Sequence, residues 1–381
     1  MAIREVKLGE VATVKGGKRL PKGINLITKP NSHPYIRVRD LNGKKTLELD
    51  GSFEFVDDVT QKAISRYIVT GGDIVLSIVG TIGLVSVVGD SLNEANLTEN
   101  CVKLTSLTGI DRDYLYYYLK SSYGQQEIAR GTVGAVQAKL PIKNIQDISI
   151  PLPDEVTQGK IAAILSSLDA KIEVNQRIND NLLEQASSIY QAWFEDFILS
   201  DGSCPPSWKQ GTLAGIADIT SGKRPPVKSA EKTDNAIIPI VGAASVMGYT
   251  TEANHTDKIL VTGRVGTHGV VQRFNSPCWA SDNTLVITSA FYEYTFQILQ
   301  RIDYRAMNRG STQPLITQGD MNKVPILIPD NETLLKFETL VGQLMKQYQV
   351  NLLENDKLAE LRDALLPRLM SGELDVSDLD I

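Results

Sequence analysis

The sequence predicts an α+β (mixed α/β) chain in which two pseudo-repeated globular modules are joined by two long helices forming an antiparallel coiled coil. Three observations predict this fold. The two halves of the chain repeat each other, each half begins with short β-rich runs, and each half ends in a long segment with a 4-3 apolar spacing. With 381 residues, the chain is long enough for two domains that each bury a core.

The repeat runs in the same order through both halves. Four blocks pair as follows: LGEVATVKGGKRLP (8–21) with LAGIADITSGKRPP (213–226), VGTIGLV (79–85) with VGTHGVV (265–271), DYLYYYLK (113–120) with EYTFQILQ (293–300), and ISIPLPDE (148–155) with ILIPDNE (326–332). The offset between copies falls from 205 to 176 residues, mostly between the first block and the GTxG block. The second copy is therefore shorter and has a rewritten middle.

Each module combines strands with one amphipathic helix. Runs such as DIVLSIV and KILVTGRV predict strands between Gly and Pro turns, and DRDYLYYYLKSS and YEYTFQILQRI predict the helices. We expect Tyr114, Tyr117 and Tyr118 to pack against the module core. The glycines of the two GTxG blocks are typical of a tight β-turn, whereas the motif alone is weak evidence for nucleotide binding.

A long helix should follow each module. Proline ends the preceding strand, Asp154 or Asp330 can cap the helix, and Glu155 or Glu332 lies in its first turn. The sequence thus divides into the following segments: module 1 (1–153), long helix 1 (154–200), module 2 (201–330), long helix 2 (331–373) and an acidic tail (374–381).

The apolar positions of the two long helices follow identical registers. In the first helix they are Ile161, Leu165, Leu168, Ile172, Asn175, Asn179, Leu182, Ala186, Ile189 and Trp193. In the second they are Phe337, Val341, Leu344, Tyr348, Asn351, Asn355, Leu358, Arg362, Leu365 and Leu369. Such sustained spacing indicates a coiled-coil seam, in which buried asparagines set register and partner. A parallel pair would place both modules at one end, so we favour the antiparallel pair, which leaves each module its own surface.

The charge distribution keeps a nucleic-acid partner open although the chain carries a net charge of -6. Segments 1–150 and 201–330 carry +3 and +1, whereas 151–200 and 331–381 carry -5 each. The three cysteines are far apart, which fits a reducing cytosol. The N-terminal residues MAIREVKLGE lack the apolar core of a signal peptide, and the apolar run 74–88 is too short for a membrane span. We therefore expect a cytoplasmic protein without a membrane partner.

The chain shows no motif for a reaction centre. The GK pairs of the repeat lack the spacing of a phosphate-binding loop, and the three histidines lack metal-ligand spacing. Pro153-Asp154 with Gln158-Gly159-Lys160 faintly resembles a nuclease motif, but its spacing is too tight and it lies at a helix start. The sequence therefore predicts a chain that is not an enzyme, with no catalytic residue, no metal site and no cofactor of its own.

Basic and amide side chains on Gly-rich loops are candidates for DNA contacts, because lysine and arginine suit phosphates while arginine, glutamine and asparagine can read base edges. The candidates are Lys15, Lys18, Arg19, Lys22, Arg37, Arg39, Gln137 and Lys139 in module 1, and Lys223, Arg224, Lys228, Arg264 and Gln313 in module 2. Gln137 and Gln313 occupy corresponding loops. The alternative for each residue is a solvated turn.

The whole chain resembles the DNA specificity subunit of type I restriction-modification systems. The resemblance rests on the order of module and long helix, on IPLP leading into QGKIAAILSSLDAKIEVNQRINDNLLEQASSIYQAWFEDF, and on the closing LLPRLMSGEL. It implies a non-catalytic subunit whose two target-recognition domains each read one half of a bipartite site in double-stranded DNA. Because these domains are the variable part of that family, the resemblance transfers no base contact.

The same resemblance implies the partners. The helical pair would set the gap between half-sites and dock two modification (methyltransferase) subunits, and two restriction (translocase and nuclease) subunits would join them. S-adenosylmethionine, ATP and magnesium would belong to those subunits, and the complex would methylate DNA adenine and defend against foreign DNA. Two alternatives remain: a coiled-coil adaptor without a DNA role, and a silent recombination copy of the specificity subunit.

Overall fold

A computed structural model describes residues 4–41, 43–134, 137–307, 315–377 and 379. Contacts divide the chain into two compact units, Met1–Asn175 with Leu353–Ile381, and Gln176–Leu352. Both boundaries fall inside a long helix. Each unit therefore consists of one module and a half of each long helix.

The described residues of the first unit's module form three sheets. Its described strands are β1 (Arg4–Lys7), β2 (Thr13–Gly16), β3 (Pro34–Ile36), β4 (Thr46–Leu47), β5 (Glu54–Phe55), β6 (Ile74–Ser77), β7 (Val85–Val88), β8 (Asn96–Leu97), β9 (Cys101–Thr105) and β10 (Ser149–Leu152). The sheet orders are β2-β9-β6-β7-β4, β5-β3-β8 and β1-β10. Pairing is antiparallel except for β3 with β8 and β4 with β7.

Short helices cover these sheets before the first long helix begins. The described helices are α1 (Leu8–Val11), α2 (Asp58–Ile64), α3 (Arg112–Lys120), α4 (Ser122–Gly131), α5 (Ile142–Gln146) and the long α6 (Glu155–Tyr190). The tyrosines of α3 are buried, as predicted. Tyr117 donates a hydrogen bond to Asp169 of α6 over 2.6 Å, so α3 joins the module core to the long helix.

The module of the second unit repeats the three-sheet arrangement. Its described strands are β11 (Lys209–Thr212), β12 (Ala217–Ser221), β13 (Ile238–Val241), β14 (Val246–Thr250), β15 (Ile259–Gly263), β16 (Gln272–Phe274), β17 (Trp279–Ala280), β18 (Thr284–Ser289) and β19 (Pro325–Ile328). The sheet orders are β12-β18-β15-β16, β14-β13-β17 and β11-β19. The described α-helices are α7 (Tyr292–Arg301), α8 (Gln318–Asn322) and the long α9 (Asn331–Met370).

The sheet orders confirm the internal repeat. β2-β9-β6-β7 corresponds to β12-β18-β15-β16, β5-β3-β8 to β14-β13-β17, and β1-β10 to β11-β19. The first module adds β4 and α2 between its first block and its GTxG block, and no described element of the second module corresponds to them. The shortening predicted from the offsets therefore falls on these two elements.

Carboxylates cap both long helices, as predicted. Asp154 accepts hydrogen bonds from the Thr157 amide and hydroxyl, and Asp330 accepts them from Thr333 in the same way. Every position of the two predicted seams is buried or half-buried. In contrast to the predicted extent of 154–200, the regular part of α6 ends at Tyr190 and is followed by a π-helical segment, Gln191–Glu195.

In each unit, one seam asparagine of α6 forms a hydrogen bond with one seam asparagine of α9. In the first unit, the Asn175 amide donates to Asn355 over 2.9 Å. In the second, the Asn351 amide donates to Asn179 over 2.8 Å. Further contacts run in opposite chain directions, for example Asp169 with Arg362 in the first unit and Tyr190 with Phe337 in the second. Within each unit, α6 and α9 are therefore antiparallel.

Two properties of the described part of the chain bear on its chemistry. Its helices include none that is both long and apolar enough to cross a membrane. Within the same residues, no three His, Cys, Asp or Glu side chains cluster as they would around a metal ion.

Candidate nucleic-acid interface

The two modules share a backbone frame that holds the Gly-Lys-Arg loop. In the first module, the Gly17 amide donates to Cys101 and the Lys18 amide to Leu97, over 3.0 and 2.8 Å. The equivalent bonds of the second module run from Gly222 to Thr284 and from Lys223 to Ala280, over 3.0 and 2.9 Å. The loop that carries the basic side chains therefore starts in the same way in both modules.

Glycine is required at one point of this frame. A Cβ atom on Gly17 would lie 2.0 Å from the Thr98 carbonyl oxygen, and one on Gly222 would lie 2.1 Å from that of Ser281. Such distances are far inside van der Waals contact, so a side chain would push the loop away. The shared glycine thus marks a close approach of two backbone segments.

The GTxG blocks form tight turns beside this loop. Their glycines have positive φ angles, 83° and 90° at Gly80 and Gly83, and 85° and 83° at Gly266 and Gly269. These values confirm the turn interpretation, because residues other than glycine rarely adopt them.

A third loop joins the first two in each module. The Ile78 amide donates to Asn100 over 2.8 Å, and the Leu140 amide donates to Ile78 over 3.0 Å. In the second module the same bonds run from Arg264 to Asn283 and from Ile316 to Arg264, over 2.8 and 3.0 Å. The backbone frame of each module therefore holds three segments side by side: the Gly-Lys-Arg loop, the GTxG turn and the loop predicted to carry a glutamine that contacts base edges.

The basic residues of the first loop are exposed. Lys15 lies on β2, and Lys18, Arg19 and Lys22 follow it on the loop. The Lys18 ammonium lies 5.5 Å from the centre of the Tyr67 ring, and its carbonyl accepts a hydrogen bond from Tyr35 over 2.8 Å. The structure therefore brings four predicted residues onto one short stretch.

Arg37 and Arg39 are less available than the first loop. Both guanidinium groups form an ion pair with the Glu54 carboxylate, at 3.0 Å for Arg39. Arg39 lies 3.4 Å from Asp40 as well. The sequence did not predict these acidic partners, which neutralise much of the positive charge of Arg37 and Arg39.

Gln137 and Lys139 are exposed on the third loop. The Lys139 backbone pairs with Val133 and bridges to Val79 of the GTxG turn, so its side chain starts beside the first module's frame. Gln313, predicted for the corresponding loop of the second module, lies outside the described residues.

The basic residues of the second module are arranged on equivalent loops. Lys223, Arg224 and Lys228 are exposed, whereas Arg264 is half-buried in the GTxG turn. The Lys223 carbonyl accepts a hydrogen bond from the Trp279 indole over 2.7 Å. Among the described residues, Arg224 has no ion-pair partner.

Comparison with known proteins identifies the family. The sequence profile described as the type I restriction modification DNA specificity domain matches residues 3–184 and again 205–362. The chain belongs to this family. It contains two specificity domains, one in each half, and is a specificity subunit of a type I restriction-modification system.

Relatives and a solved structure agree with this family of specificity subunits. The chain is 24% identical to the type I restriction enzyme MjaIX specificity subunit of Methanocaldococcus jannaschii, covering 91% of this chain and 88% of that protein. It is 21% identical to the HindI specificity subunit of Haemophilus influenzae, covering 62% and 71%. The fold is similar to the S subunit crystal structure from M. genitalium, with a TM-score of 0.57, 18% identity, and coverage of 97% and 96%.

Each specificity domain has an acidic turn that was not predicted from the sequence. Glu99-Asn100 and Asp282-Asn283 occupy the same place in the two frames, where each asparagine carbonyl accepts from the GTxG turn. The signal was present in the sequence, because TENC (98–101) and SDNT (281–284) align once the other blocks are in register. Carboxylates at this place can pair with a loop arginine or accept hydrogen bonds from cytosine.

Proposed function

We propose that this chain is the non-catalytic, sequence-specific DNA-binding subunit of its complex, and that each module reads one half of a bipartite site. One observation carries the proposal: the same backbone frame presents different side chains on equivalent loops in the two modules. A shared frame with different side chains suits two different half-sites, because base edges are read by side chains while the backbone sets the approach.

The site residues support a mixed mode of contact. Lys15, Lys18, Lys22, Lys223 and Lys228 are exposed and suit phosphate contacts, which position a protein on DNA. The candidates for base edges are Arg19 and Gln137 in the first module, and Arg224 and Arg264 in the second. Lys139 extends the basic surface beside Gln137. Arg37 and Arg39 are weaker candidates because Glu54 pairs with both.

The long helices are proposed to set the gap and to dock two modification subunits. Their seam is closed within each unit, yet several apolar residues face away from it. Val174 and Val350, which are equivalent in the repeat, are 47% and 50% exposed. Equivalent exposed apolar positions suit two copies of one partner. S-adenosylmethionine, ATP and magnesium are proposed to bind the modification and restriction subunits.

Inserting one heptad into each long helix tests the role of the helices. Seven residues lengthen a helix by about 10 Å, or about three base pairs of DNA. We expect the gap in the bound or methylated site to grow by about that number while both half-sites stay the same. The matched control replaces a heptad with one of equal length and identical seam residues. An unchanged gap in the lengthened chain would contradict this role.

Binding to random duplex DNA at low salt separates the proposal from the adaptor alternative. A DNA-binding subunit should retain duplex on a filter and release it steeply as salt rises, because its contacts displace counterions. An adaptor that joins only proteins should retain none.

A further inference from the structure

One arginine of the first module is held in place while its hydrogen-bonding end stays open. The Nε atom of Arg19 donates to Glu99 Oε1 over 2.6 Å, although 81% of the Arg19 side chain is exposed. Among the described residues, neither Nη1 nor Nη2 of Arg19 has a hydrogen-bond partner. An exposed arginine ordinarily samples many rotamers, so this carboxylate restricts the direction of the guanidinium.

The carboxylate itself is anchored. Glu99 is only 29% exposed at its side chain, and its Oε2 accepts a hydrogen bond from the Thr98 hydroxyl over 3.1 Å. Partial burial raises the pKa of Glu99, but hydrogen bonds from Arg19, from its own backbone and from Thr98 outweigh this and lower the pKa below its usual value. Glu99 is therefore ionised at neutral pH and able to hold the arginine.

The backbone on the other side of the pair is also restricted. The Lys18 amide donates to Leu97, and the Lys18 carbonyl accepts from the Tyr35 hydroxyl over 2.8 Å. The Gly17 backbone approaches Thr98 so closely that it leaves no room for a Cβ. The backbone just before Arg19 is thus restrained, and the Arg19 side chain is restrained a second time by the bond at Nε.

This geometry determines which face of the guanidinium is available. Arginine can donate two parallel hydrogen bonds either through Nε with one Nη or through its two Nη atoms. Glu99 occupies Nε, so the end-on pair remains. Two donors at this spacing match the O6 and N7 acceptors that guanine presents in the major groove.

We propose that Arg19 reads a guanine in the half-site of the first module, donating from Nη1 and Nη2 to O6 and N7, with Glu99 as its positioning residue. The inference rests on the proposed function and adds the base that one residue recognises. A phosphate contact is the competing use of Arg19. The two differ because a phosphate contact weakens binding to every sequence equally, whereas a base contact affects one position.

The second module supplies the matched control. Arg224 occupies the equivalent place, but no described residue forms an ion pair with it, and the acidic residue of its turn is the shorter Asp282. Arg224→Lys therefore changes the same residue type on the same frame in the other half-site. It should leave the first half-site unchanged.

The test selects bound sites from duplex DNA randomised at both half-sites, using the full chain co-purified with its modification subunits. The chains compared are wild type, Arg19→Lys, Arg19→Ala, Glu99→Gln and Arg224→Lys. We expect wild type to select a guanine in the first half-site. Arg19→Lys should reduce the preference at that position by roughly 5- to 150-fold, and Glu99→Gln should reduce it less. In these two variants, the base preferences at the other positions of the first half-site and throughout the second half-site should stay the same.

Each outcome has a defined meaning. Unchanged preference at every position in Arg19→Lys would overturn the inference, as would equal weakening on all sequences with a salt dependence reduced by about one unit in Arg19→Ala. In either case a bipartite wild-type motif would leave the proposed function standing. The absence of any wild-type motif would overturn both. Amide hydrogen exchange of the exposed-site variants should match wild type, which controls for folding.

Discussion

The two modules differ in how the first turns of their central helices, α3 and α7, are capped. In the first unit, α3 is capped by its own Asp111, which accepts from the Tyr114 amide over 2.8 Å. In the second unit, α7 has no cap from its neighbouring residue Phe291, and Glu338 of α9 accepts from the Glu293 and Tyr294 amides instead, over 3.0 and 2.8 Å. A local cap in one copy is thus replaced by a distant carboxylate in the other.

The charges beside these helices differ in burial as well. Arg273 pairs with Glu293 at side-chain exposures of 8% and 6%, and its guanidinium stacks on Tyr292 and Phe296. The corresponding helix of the first unit uses the pair of Lys45 and Asp113, at exposures of 17% and 20%. The two copies therefore share the backbone frame, whereas the ion pairs and caps around α3 and α7 differ in chemistry.

The largest expected difference concerns the buried pair of the second unit. Glu293→Ala leaves the Arg273 charge buried without its partner, which should destabilise the second unit by about 3–5 kcal/mol. The matched change Asp113→Ala removes the carboxylate from the more solvent-exposed pair of Lys45 and Asp113, so it should destabilise the first unit by only about 1 kcal/mol. Chemical unfolding that is monitored by amide exchange in α3 and α7 measures the loss of stability in each unit. Equal losses in the two helices would contradict the comparison.

A smaller difference is expected in the pH dependence of the second unit. Burial raises the pKa of Glu338 to about 7, although the Tyr294 and Glu293 amides act against this. Between the unfolded value of 4.5 and about 7, the folded state binds more protons, so stability should fall as pH rises through this range. A shift from 4.5 to about 7 corresponds to a total change of about 3 kcal/mol.

Glu338→Gln is the control for that pH dependence. It keeps an acceptor near the start of α7 but removes the titrating group. Unfolding measured at steps between pH 5 and pH 7.5 should show a falling stability in wild type and a flatter profile in the variant. Identical profiles would show that Glu338 does not titrate in this range.

The smallest expected effect belongs to the local cap of the first unit. Asp111→Ala should raise the exchange rate of the first amides of α3 and cost about 1 kcal/mol, which is usual for a lost N-cap. The equivalent position of the second unit, Phe291, has no side-chain cap to lose. A change in α7 on mutating Asp111 would mean that the two caps are not independent.

The sequence predicted features that depend on local pattern. The 4-3 spacing placed the seam, and the hydrogen bond from the Asn175 amide to Asn355 confirms it. Asp154 and Asp330 cap as predicted because capping depends on residues only three positions apart. The repeat predicted that the two modules share one arrangement, whereas the structure supplied their division into three sheets.

Contacts between distant residues were not predictable from such patterns. Arg19 and Glu99 are 80 positions apart, and Arg37 and Arg39 share Glu54 across a strand pair that the rewritten middle contains. No periodicity or capping rule links these residues. The candidate site could therefore be located on its loops, whereas the partner of each arginine required the structure.

A long-read methylome of the source cell with and without the gene, under conditions in which the chain is shown to be expressed, tests two-part DNA recognition directly. We expect one split motif to lose adenine methylation on deletion and to regain it on complementation. If no motif changes although the chain is present, two-part DNA recognition by this chain is contradicted.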